Sequence, residues 1–536
     1  MDDLLVIGTL HTLDPARPRA RAALVRDGRF VCVGEAAECA ARAAPGARRI
    51  ELGGGSAVPG LVDAHGHVLG LARARREVRC EGAASAEACA ARVAERARAT
   101  PPGRWIRGRG WDQNRWPGGG FPDAAALTRA APDHPVVLFR VDGHACWVNA
   151  AALAAAGIGP ATVDPPGGRI LRDAAGRPTG VLVDAAMDLV IARLPRPGPA
   201  ELEELLLAGL EELARLGLTG VHDAGVEPDV LDAYRRLAEA GRLPLRVYAM
   251  IDGLAPRPVL DAELARWRGT PELGGRLEVR AVKLFADGAL GSRGAALLED
   301  YADDPGNRGL LLTAPEELRA RLDAVVRAGL QPAVHAIGDR AVREVLRAFR
   351  GAGPTLRALR PRIEHLQIVQ PSDLPLLADT GAVASMQPVH ATSDAGWVPA
   401  RLGEGPGRLR GAYAWRSVAG AGAVLAFGSD FPIESPDPRA GLYAAEARRG
   451  PDGAPFQPQE AVSREVALRA FTAGAAWAAF AEGRRGMIRE GMDADLTAFD
   501  ADVLAVPAEA LPGLGVVATL VGGQVVAGAV AGAQSA

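Results

Sequence analysis

Eight short apolar runs recur along the middle of the chain, and most of them are followed by an amphipathic helical segment. A short apolar run bounded by turn signals is typical of a buried strand, and strands that alternate with helices are typical of a parallel sheet. Eight β/α units predict an α/β fold of the (β/α)8 TIM-barrel type. The runs lie at residues 58–62, 217–222, 245–251, 279–285, 332–337, 362–366, 382–387 and 424–428.

The two ends of the chain carry short apolar runs broken by turn signals, which predict one small β-sandwich domain built from both termini. Gly53, Gly54 and Gly55 are interpreted as the linker that leaves it. The stretch between the first two barrel strands is far too long for one crossover, so we expect an insertion near the active-site mouth that closes as a lid. The expected segments are 1–56 and 483–536 (β-sandwich), 57–69 (barrel strand 1), 70–200 (insertion) and 201–482 (remaining barrel).

Composition excludes several functional classes. The net charge is −3, so the chain lacks the positive field that binds nucleic acid or acidic lipid. The uncharged stretch at 515–532 is interpreted as two strands rather than a membrane span, because Gly522 and Gly523 mark a turn within it. Five cysteines without a Cys-x-x-Cys pair predict free thiols, and the absence of a basic leader agrees with a cytoplasmic, soluble protein.

Lys283 is the only lysine among 61 basic residues. In a chain so biased towards arginine, a retained lysine indicates a position where arginine would not serve, although survival by chance is the alternative. The arginine guanidinium keeps its proton in proteins, whereas a lysine amine can lose its proton and form a covalent adduct. Lys283 falls in the fourth predicted strand, at the expected mouth of the barrel.

Several of the nine histidines end predicted strands, where TIM barrels place their active sites. His65 and His67 form a His-x-His motif, and the side-chain period of two in an extended chain puts both imidazoles on one face, where they can chelate one metal. His335, His365 and Asp430 end later strands. Nitrogen and oxygen ligands of this kind suit Zn²⁺ and related divalent ions.

Segments spread over almost the whole chain resemble the amidohydrolase superfamily and, within it, amidohydrolase family 3, the branch that contains N-substituted formamide deformylases. The resemblance implies a (β/α)8 barrel, a small β-domain shared by the termini, and a metal-dependent hydrolase. The segments are PGLVDAHGHV (59–68), GWDQNRWPGGGFPDAAAL (110–127), VDGHACWVNAAAL (141–153), GVHDAG (220–225), VKLFADGALGSRGA (282–295), VHAIGDRAV (334–342), RIEHLQ (362–367), SMQPVHATSD (385–394), FGSDFPIESPDP (427–438) and GMIREGMDADLTAFD (486–500).

The resemblance also implies a binuclear metal centre with two Zn²⁺ ions, for which other divalent metals or a single ion are alternatives. In such a centre the lysine reacts with CO₂, and the resulting carbamate, a carboxylated lysine, bridges the two metals. The implied ligands are His65, His67 and Asp430 for the first metal, His335 and His365 for the second, and the carbamate of Lys283 between them.

The implied reaction is hydrolysis of a carbon–nitrogen bond other than a peptide bond, in a small N-acyl or N-formyl amide. The metal lowers the pKa of a bound water from about 15.7 towards about 7, and the hydroxide so formed attacks the carbonyl carbon. Asp430 would take the proton of the water and pass it to the leaving nitrogen, unless it is a plain ligand or a helix cap. His390 and His144 are further catalytic candidates, with packing as their alternative role.

Four other residues are candidates for substrate binding. Trp111, Trp147 and Trp397 lie in loop-like segments near these motifs and could wall an apolar pocket, or they could form the core of the insertion. Arg293 could clamp an anionic group of the substrate, or it could belong to a structural ion pair.

Three other kinds of protein remain as alternatives. A hydrolase of a cyclic amide, a carbamate or an ester would use the same metal centre and the same tetrahedral chemistry. A metal-dependent isomerase or decarboxylase could occupy the same barrel. A non-catalytic barrel is disfavoured because all six expected ligand positions are filled. The expected partner is a small-molecule amide, and a homodimer is one option for the oligomeric state.

Overall fold

The computed structural model describes residues 3–113, 116–140, 145–165, 168–269 and 272–528. The strands are β1 (Leu4–His11), β2 (Arg19–Arg26), β3 (Arg29–Gly34), β4 (Arg48–Pro59), β5 (Leu61–Gly66), β6 (Val78–Arg79), β7 (Ile106–Trp111), β8 (Val136–Arg140), β9 (Ala145–Val148), β10 (Gly168–Arg172), β11 (Pro178–Asp184), β12 (Leu218–Val226), β13 (Arg246–Asp252), β14 (Leu277–Phe285), β15 (Gln331–Ala336), β16 (Arg362–His365), β17 (Val383–Met386), β18 (Leu425–Phe427), β19 (Leu496–Phe499), β20 (Val516–Val521) and β21 (Gln524–Gly528).

The helices fall between these strands. They are α1 (Ala36–Arg42), α2 (Val68–Arg76), α3 (Ala86–Arg98), α4 (Ala124–Ala130), α5 (Ala150–Ala155), α6 (Asp188–Ile191), α7 (Pro199–Arg215), α8 (Pro228–Glu239), α9 (Arg257–Trp267), α10 (Pro315–Ala328), α11 (Asp339–Ala352), α12 (Pro354–Ala358), α13 (Leu374–Thr380), α14 (Pro388–Ser393), α15 (Val398–Leu402), α16 (Pro406–Leu409), α17 (Trp415–Gly420), α18 (Pro438–Ala447), α19 (Arg464–Arg469) and α20 (Ala475–Ala478). None of the described helices is both long enough and apolar enough to cross a membrane.

Eight parallel strands form the barrel, in the order β5, β12, β13, β14, β15, β16, β17 and β18. Backbone hydrogen bonds beyond the end of β18 close the ring: the Asp430 amide donates to the His65 carbonyl at 2.7 Å, and the His67 amide donates to the Phe431 carbonyl at 2.8 Å. The predicted TIM barrel is therefore confirmed.

The first barrel strand begins later than the sequence pattern indicates. Residues 58–62 were expected to form it, but β5 is Leu61–Gly66, and Val58 and Pro59 end β4 of the terminal sheet. The apolar run is continuous across both strands, so hydrophobicity alone does not separate them. Gly60 marks the boundary, because a Cβ there would lie 2.3 Å from Thr219 Oγ1. As a result, His65 lies within the strand.

A seven-stranded sheet joins the two ends of the chain, in the order β21-β20-β19-β4-β1-β2-β3. The predicted small β-domain built from both termini is thus confirmed. The glycines at 53–55 are not a linker, however, because β4 runs through them. They bulge out of the pairing with β1, where Ile7 opposes Glu51 and Thr9 opposes Ser56.

The structure corrects the prediction that all five cysteines are free thiols. Cys32 in β3 and Cys39 in α1 form a disulfide, with their Cα atoms 5.5 Å apart. The short connection between β3 and α1 folds the helix back onto the strand and brings the two residues within disulfide range. Spacing in the sequence does not determine such a pairing. Cys80, Cys89 and Cys146 are free and buried, and a cytoplasmic location stays a prediction.

Residues Leu71–Glu201 form a compact unit of their own. Its described strands make a six-stranded sheet in the order β10-β11-β9-β8-β7-β6. Three tryptophans, Trp111, Trp116 and Trp147, pack against one another in its core, with ring centroids 6.1–6.3 Å apart. That this unit acts as a lid stays a prediction.

Arg246→Ala is expected to destabilise the protein, because Arg246 ties the barrel to the terminal sheet. Its guanidinium donates to both carboxylate oxygens of Asp495, at 2.6 and 2.9 Å. Removing one member of a buried ion pair lowers the free energy of unfolding by about 3–5 kcal/mol. We expect a loss at the lower end of this range, because the Arg246 side chain is 14% exposed. The measurement is the midpoint of urea-induced unfolding.

The control is Arg235→Ala, which removes an exposed pair with Glu239 at 3.0 Å. Exposed pairs contribute less than about 1 kcal/mol, so the midpoint should barely move. Equal shifts for the two variants would contradict the tying role of Arg246.

Candidate metal centre

Six side chains predicted as metal ligands converge at the carboxyl end of the barrel strands, where a cavity of about 420 Å³ opens. Because parallel strands end at one face of the barrel, residues far apart in sequence meet there. These side chains are His65 and His67 at the end of β5, Lys283 in β14, His335 in β15, His365 in β16 and Asp430 after β18. Five of the six line the cavity; His65 lies behind it, fully buried.

The carboxylate of Asp430 is the centre of one group of possible ligands. Its Oδ1 lies 3.1 Å from His67 Nε2 and 3.6 Å from His65 Nε2. His67 Nδ1 donates to the Ala224 carbonyl at 2.9 Å, so the Nε2 of a neutral His67 presents a lone pair to the carboxylate. Two acceptors at this distance require a cation or a proton between them. The residues present therefore fit a metal ion.

The orientation of His65 is set by two contacts. Its Nδ1 donates to Glu364 Oε2 at 2.5 Å, and its Nε2 accepts a hydrogen bond from Lys283 Nζ at 3.2 Å. A carboxylate behind an imidazole fixes the tautomer and directs the other nitrogen towards the metal. Lys283 is buried and points at the same nitrogen.

A second group of possible ligands shares Asp430 and adds His365 and His390. His365 Nδ1 donates to Gln387 Oε1 at 2.9 Å, which leaves a lone pair on Nε2 of the neutral ring. His390 Nε2 is buried, has no hydrogen-bond partner among the described residues and lies 3.8 Å from Asp430 Oδ2. An unpaired buried nitrogen at this position is available to a ligand or a substrate.

His335 lies beside this group, with its ring centroid 4.5 Å from that of His365. Its Nε2 faces the Gly288 carbonyl at 3.5 Å and Asp287 Oδ1 at 3.7 Å. Nδ1 is therefore the nitrogen left for a metal. The role of His335 as a ligand stays a prediction.

Burial keeps three histidines of the site, His65, His335 and His365, neutral. Burial, assisted by the charge of Lys283, lowers the pKa of His65 to about 4 and that of His335 to about 3. Burial also holds the pKa of His365 well below its ordinary value. Neutral imidazole is the form that binds a metal, so these rings are ready for one at pH 7.

Burial and neighbouring charges also set the protonation states of Lys283 and Asp430. Burial lowers the pKa of Lys283 to about 8, so a substantial fraction of its amine is neutral near physiological pH. Burial would raise the pKa of Asp430, but the neighbouring His67 and the other imidazoles around the carboxylate outweigh burial and hold that pKa well below its usual range. Asp430 is therefore an ionised carboxylate.

Two buried charged residues behind the site escaped the sequence analysis. Arg362 donates to Glu364 Oε1 at 2.7 Å, to His222 Nδ1 at 2.9 Å and to the Ala64 carbonyl at 2.7 Å. Burial would raise the pKa of Glu364, but the Arg362 guanidinium outweighs burial and holds that pKa well below its ordinary value. Arg362 and Glu364 occupy alternate positions of the buried strand β16, so their side chains lie on the same face of it. That spacing of two charged residues was the sequence signal for a buried pair.

The residues predicted to bind substrate divide into two sets. Trp397 lines the cavity, and so does His390, one of the catalytic candidates. Trp111 and Trp147 do not present any surface to a substrate, because both are fully buried in the core of the Leu71–Glu201 unit. Their indole N–H groups donate to the carbonyls of Leu138 and Asp123. Of the two roles that the sequence allowed, a pocket wall or the core of the insertion, these two tryptophans take the second.

Arg293 also takes the second of the two roles that the sequence left open. Its guanidinium donates to Asp303 Oδ2 at 2.9 Å, so it belongs to a structural ion pair rather than to an anion clamp. His144, the remaining catalytic candidate, lies outside the described residues.

Glu364→Gln is expected to weaken metal binding, because it removes the negative charge that accepts the hydrogen bond from His65. Loss of a partner behind a ligating histidine costs about 10–100-fold in metal affinity. The measurement is competition for Zn²⁺ with a chelating dye.

Ser385→Ala is the matched control. Ser385 Oγ accepts a hydrogen bond from Arg362 at 3.0 Å, so this variant also loosens Arg362 but leaves the His65–Glu364 bond in place. We expect it to retain its Zn²⁺ affinity. Losses of similar size in both variants would contradict the orienting role of Glu364.

Comparisons with known proteins agree with this geometry. The sequence model of the amidohydrolase family matches residues 48–527. The Bacillus subtilis (strain 168) protein YtcJ is 33% identical over 97% of this chain and 98% of its own. The N-substituted formamide deformylase of Arthrobacter pascens is 30% identical over 94% of each chain. A crystal structure of an uncharacterized metal-dependent hydrolase from Pyrococcus horikoshii OT3 superposes with a TM-score of 0.81 at 26% identity, covering 95% of this chain and 99% of that one.

Proposed function

The chain belongs to the amidohydrolase family, and on that premise we propose that it hydrolyses the carbon–nitrogen amide bond of a small N-acyl or N-formyl compound. The observation that carries this proposal is the convergence of the Asp430 carboxylate with the Nε2 lone pairs of His65 and His67. The N-substituted formamide deformylase that it resembles over 94% of the chain supports the choice of an amide.

The centre would be held by residues from five strands. His65, His67 and Asp430 form the first set of ligands, and His365 lies beside Asp430 as a member of the second. A divalent metal, with Zn²⁺ as the first candidate, would supply polarisation of the amide carbonyl and a water of lowered pKa.

Lys283 is suited to carry a carbamate. Its neutral amine nitrogen attacks the carbon of CO₂ and loses a proton, so that a neutral amine becomes an anionic N-carboxylate with two ligand oxygens. Burial, a pKa lowered to about 8 and the position of Nζ 3.2 Å from His65 Nε2 support this role. An arginine could not substitute, because its guanidinium does not release a proton in proteins.

Proton movement would fall to Asp430. Its ionised carboxylate lies at the point where the histidines converge, so it can accept the proton of the attacking water and deliver it to the leaving nitrogen. His390 would complete the site. Gln367 Nε2 donates to His390 Nδ1 at 3.2 Å, which places the ring proton on Nε2 and makes that buried atom a donor for the developing oxyanion.

Hydrolysis of N-formyl and N-acetyl amines in ¹⁸O-labelled water tests the proposal. We expect the label in the acid product, because the amide carbon takes its new oxygen from water. Asp430→Asn should lower kcat by at least about 10²-fold, the smallest usual contribution of a positioned acid or base. The control Asp379→Asn changes an exposed carboxylate in α13 and should retain the rate.

A product without the label would contradict hydrolysis and favour an isomerase or decarboxylase. Labelled acid released only from cyclic amides, carbamates or esters would retain the hydrolase and overturn the proposed amide class.

A further inference from the structure

One wall of the cavity beside the candidate metal centre is apolar. Phe285, Leu290, Ile337 and Trp397 line it, and Ile433, which is 64% exposed, forms its rim. A volume of about 420 Å³ is in the range of small-molecule sites, and such sites use apolar walls for affinity and a few polar groups for specificity. This wall would contact the amine portion of a bound amide.

The described cavity wall contains no arginine, although all but one of the 61 basic residues of the chain are arginines. Arg293 and Arg401 flank it, and both donate to the carboxylate of Asp303. Arg401 also donates to the Gly291 carbonyl at 3.2 Å. The guanidiniums near the cavity are therefore engaged, and Lys283, the one lysine or arginine among the described lining residues, belongs to the candidate metal centre.

The charged side chains that line the cavity outside the candidate ligands and His390 are both acidic: Asp394 and Glu434. Asp394 accepts a hydrogen bond from the Tyr413 hydroxyl at 2.6 Å. Glu434 is half-buried and makes no hydrogen bond or ion pair with any described residue. An unpaired carboxylate in an apolar cavity attracts a cation and repels an anion.

We propose that the cavity selects amides whose amine portion is an apolar chain ending in a cationic group, that it disfavours amides bearing a carboxylate, and that Glu434 determines this specificity. The amide end of this ligand rests on the function proposed above. The charge selection does not, because it depends on the cavity wall alone.

Three matched ureas test the selection on the full-length, zinc-loaded protein, because ureas resist hydrolysis. Hexylurea is neutral, (6-aminohexyl)urea is cationic and 6-ureidohexanoate is anionic. Calorimetric Kd values should rank the cationic compound tightest and the anionic compound weakest, about tenfold apart at low salt. Salt at about 0.5 M should reduce this difference, since it screens exposed charges.

Substitutions at Glu434 test whether this side chain determines the charge selection. Glu434→Gln should bring the ratio of the anionic to the cationic Kd towards one, and Glu434→Arg should invert it. The control Glu509→Gln removes an exposed carboxylate that does not line the cavity, and it should retain the wild-type ratio.

The charge selection would be overturned by an anionic urea that binds as tightly as the cationic one, by the absence of any binding of the cationic urea, or by a Glu434→Gln variant with the wild-type ratio. The corresponding formamides are assayed separately for release of formate. Intact charge selection without formate release would overturn the proposed hydrolysis alone.

Discussion

The Asp430 amide donates to the His65 carbonyl, and the His67 amide donates to the carbonyl of Phe431. These hydrogen bonds join the first barrel strand to the loop after the last one, and they hold side chains more than 360 residues apart in sequence at ion-pair distance. Asp430 has a left-handed backbone, with φ at 61°. Such conformations cost of order 1–3 kcal/mol and persist where the surrounding structure imposes them. The candidate centre therefore depends on barrel closure rather than on any local motif.

The charged groups of the candidate centre lie in two layers, one at the cavity face and one below it. The cavity face carries the neutral imidazoles of His335 and His365, an ionised Asp430 and a lysine whose pKa is lowered by burial. The layer below it contains the Arg362–Glu364 pair, both members of which are fully buried. Buried charges of this kind are costly unless each one is paired and hydrogen-bonded. The pair therefore serves to hold His65, and the acceptors that face one another around Asp430 are left for a cation.

The sequence was sufficient for the features that repeat along the chain. Eight apolar runs predicted the barrel, and histidines at strand ends indicated residues that the structure brings together. The sequence was insufficient for strand boundaries and side-chain partners that tertiary packing determines. Hydrophobicity did not separate β4 from β5, since the run is apolar on both sides of Gly60. The sequence left open whether Trp111 and Trp147 wall a pocket or form the core of the insertion, and whether Arg293 clamps an anion or joins a structural ion pair. Packing within the Leu71–Glu201 unit and the position of Asp303 decide both questions.

The metal content per chain, measured by elemental analysis on the native protein and on Lys283→Ala, tests the central claim most directly. Each protein is reconstituted with Zn²⁺ with and without bicarbonate. A carbamate-bridged centre predicts about two ions in the native protein with bicarbonate and a lower content both in the variant and in the bicarbonate-free sample. Equal metal content in all four samples would contradict the bridging role of Lys283, and no bound metal in any of them would contradict the metal centre itself.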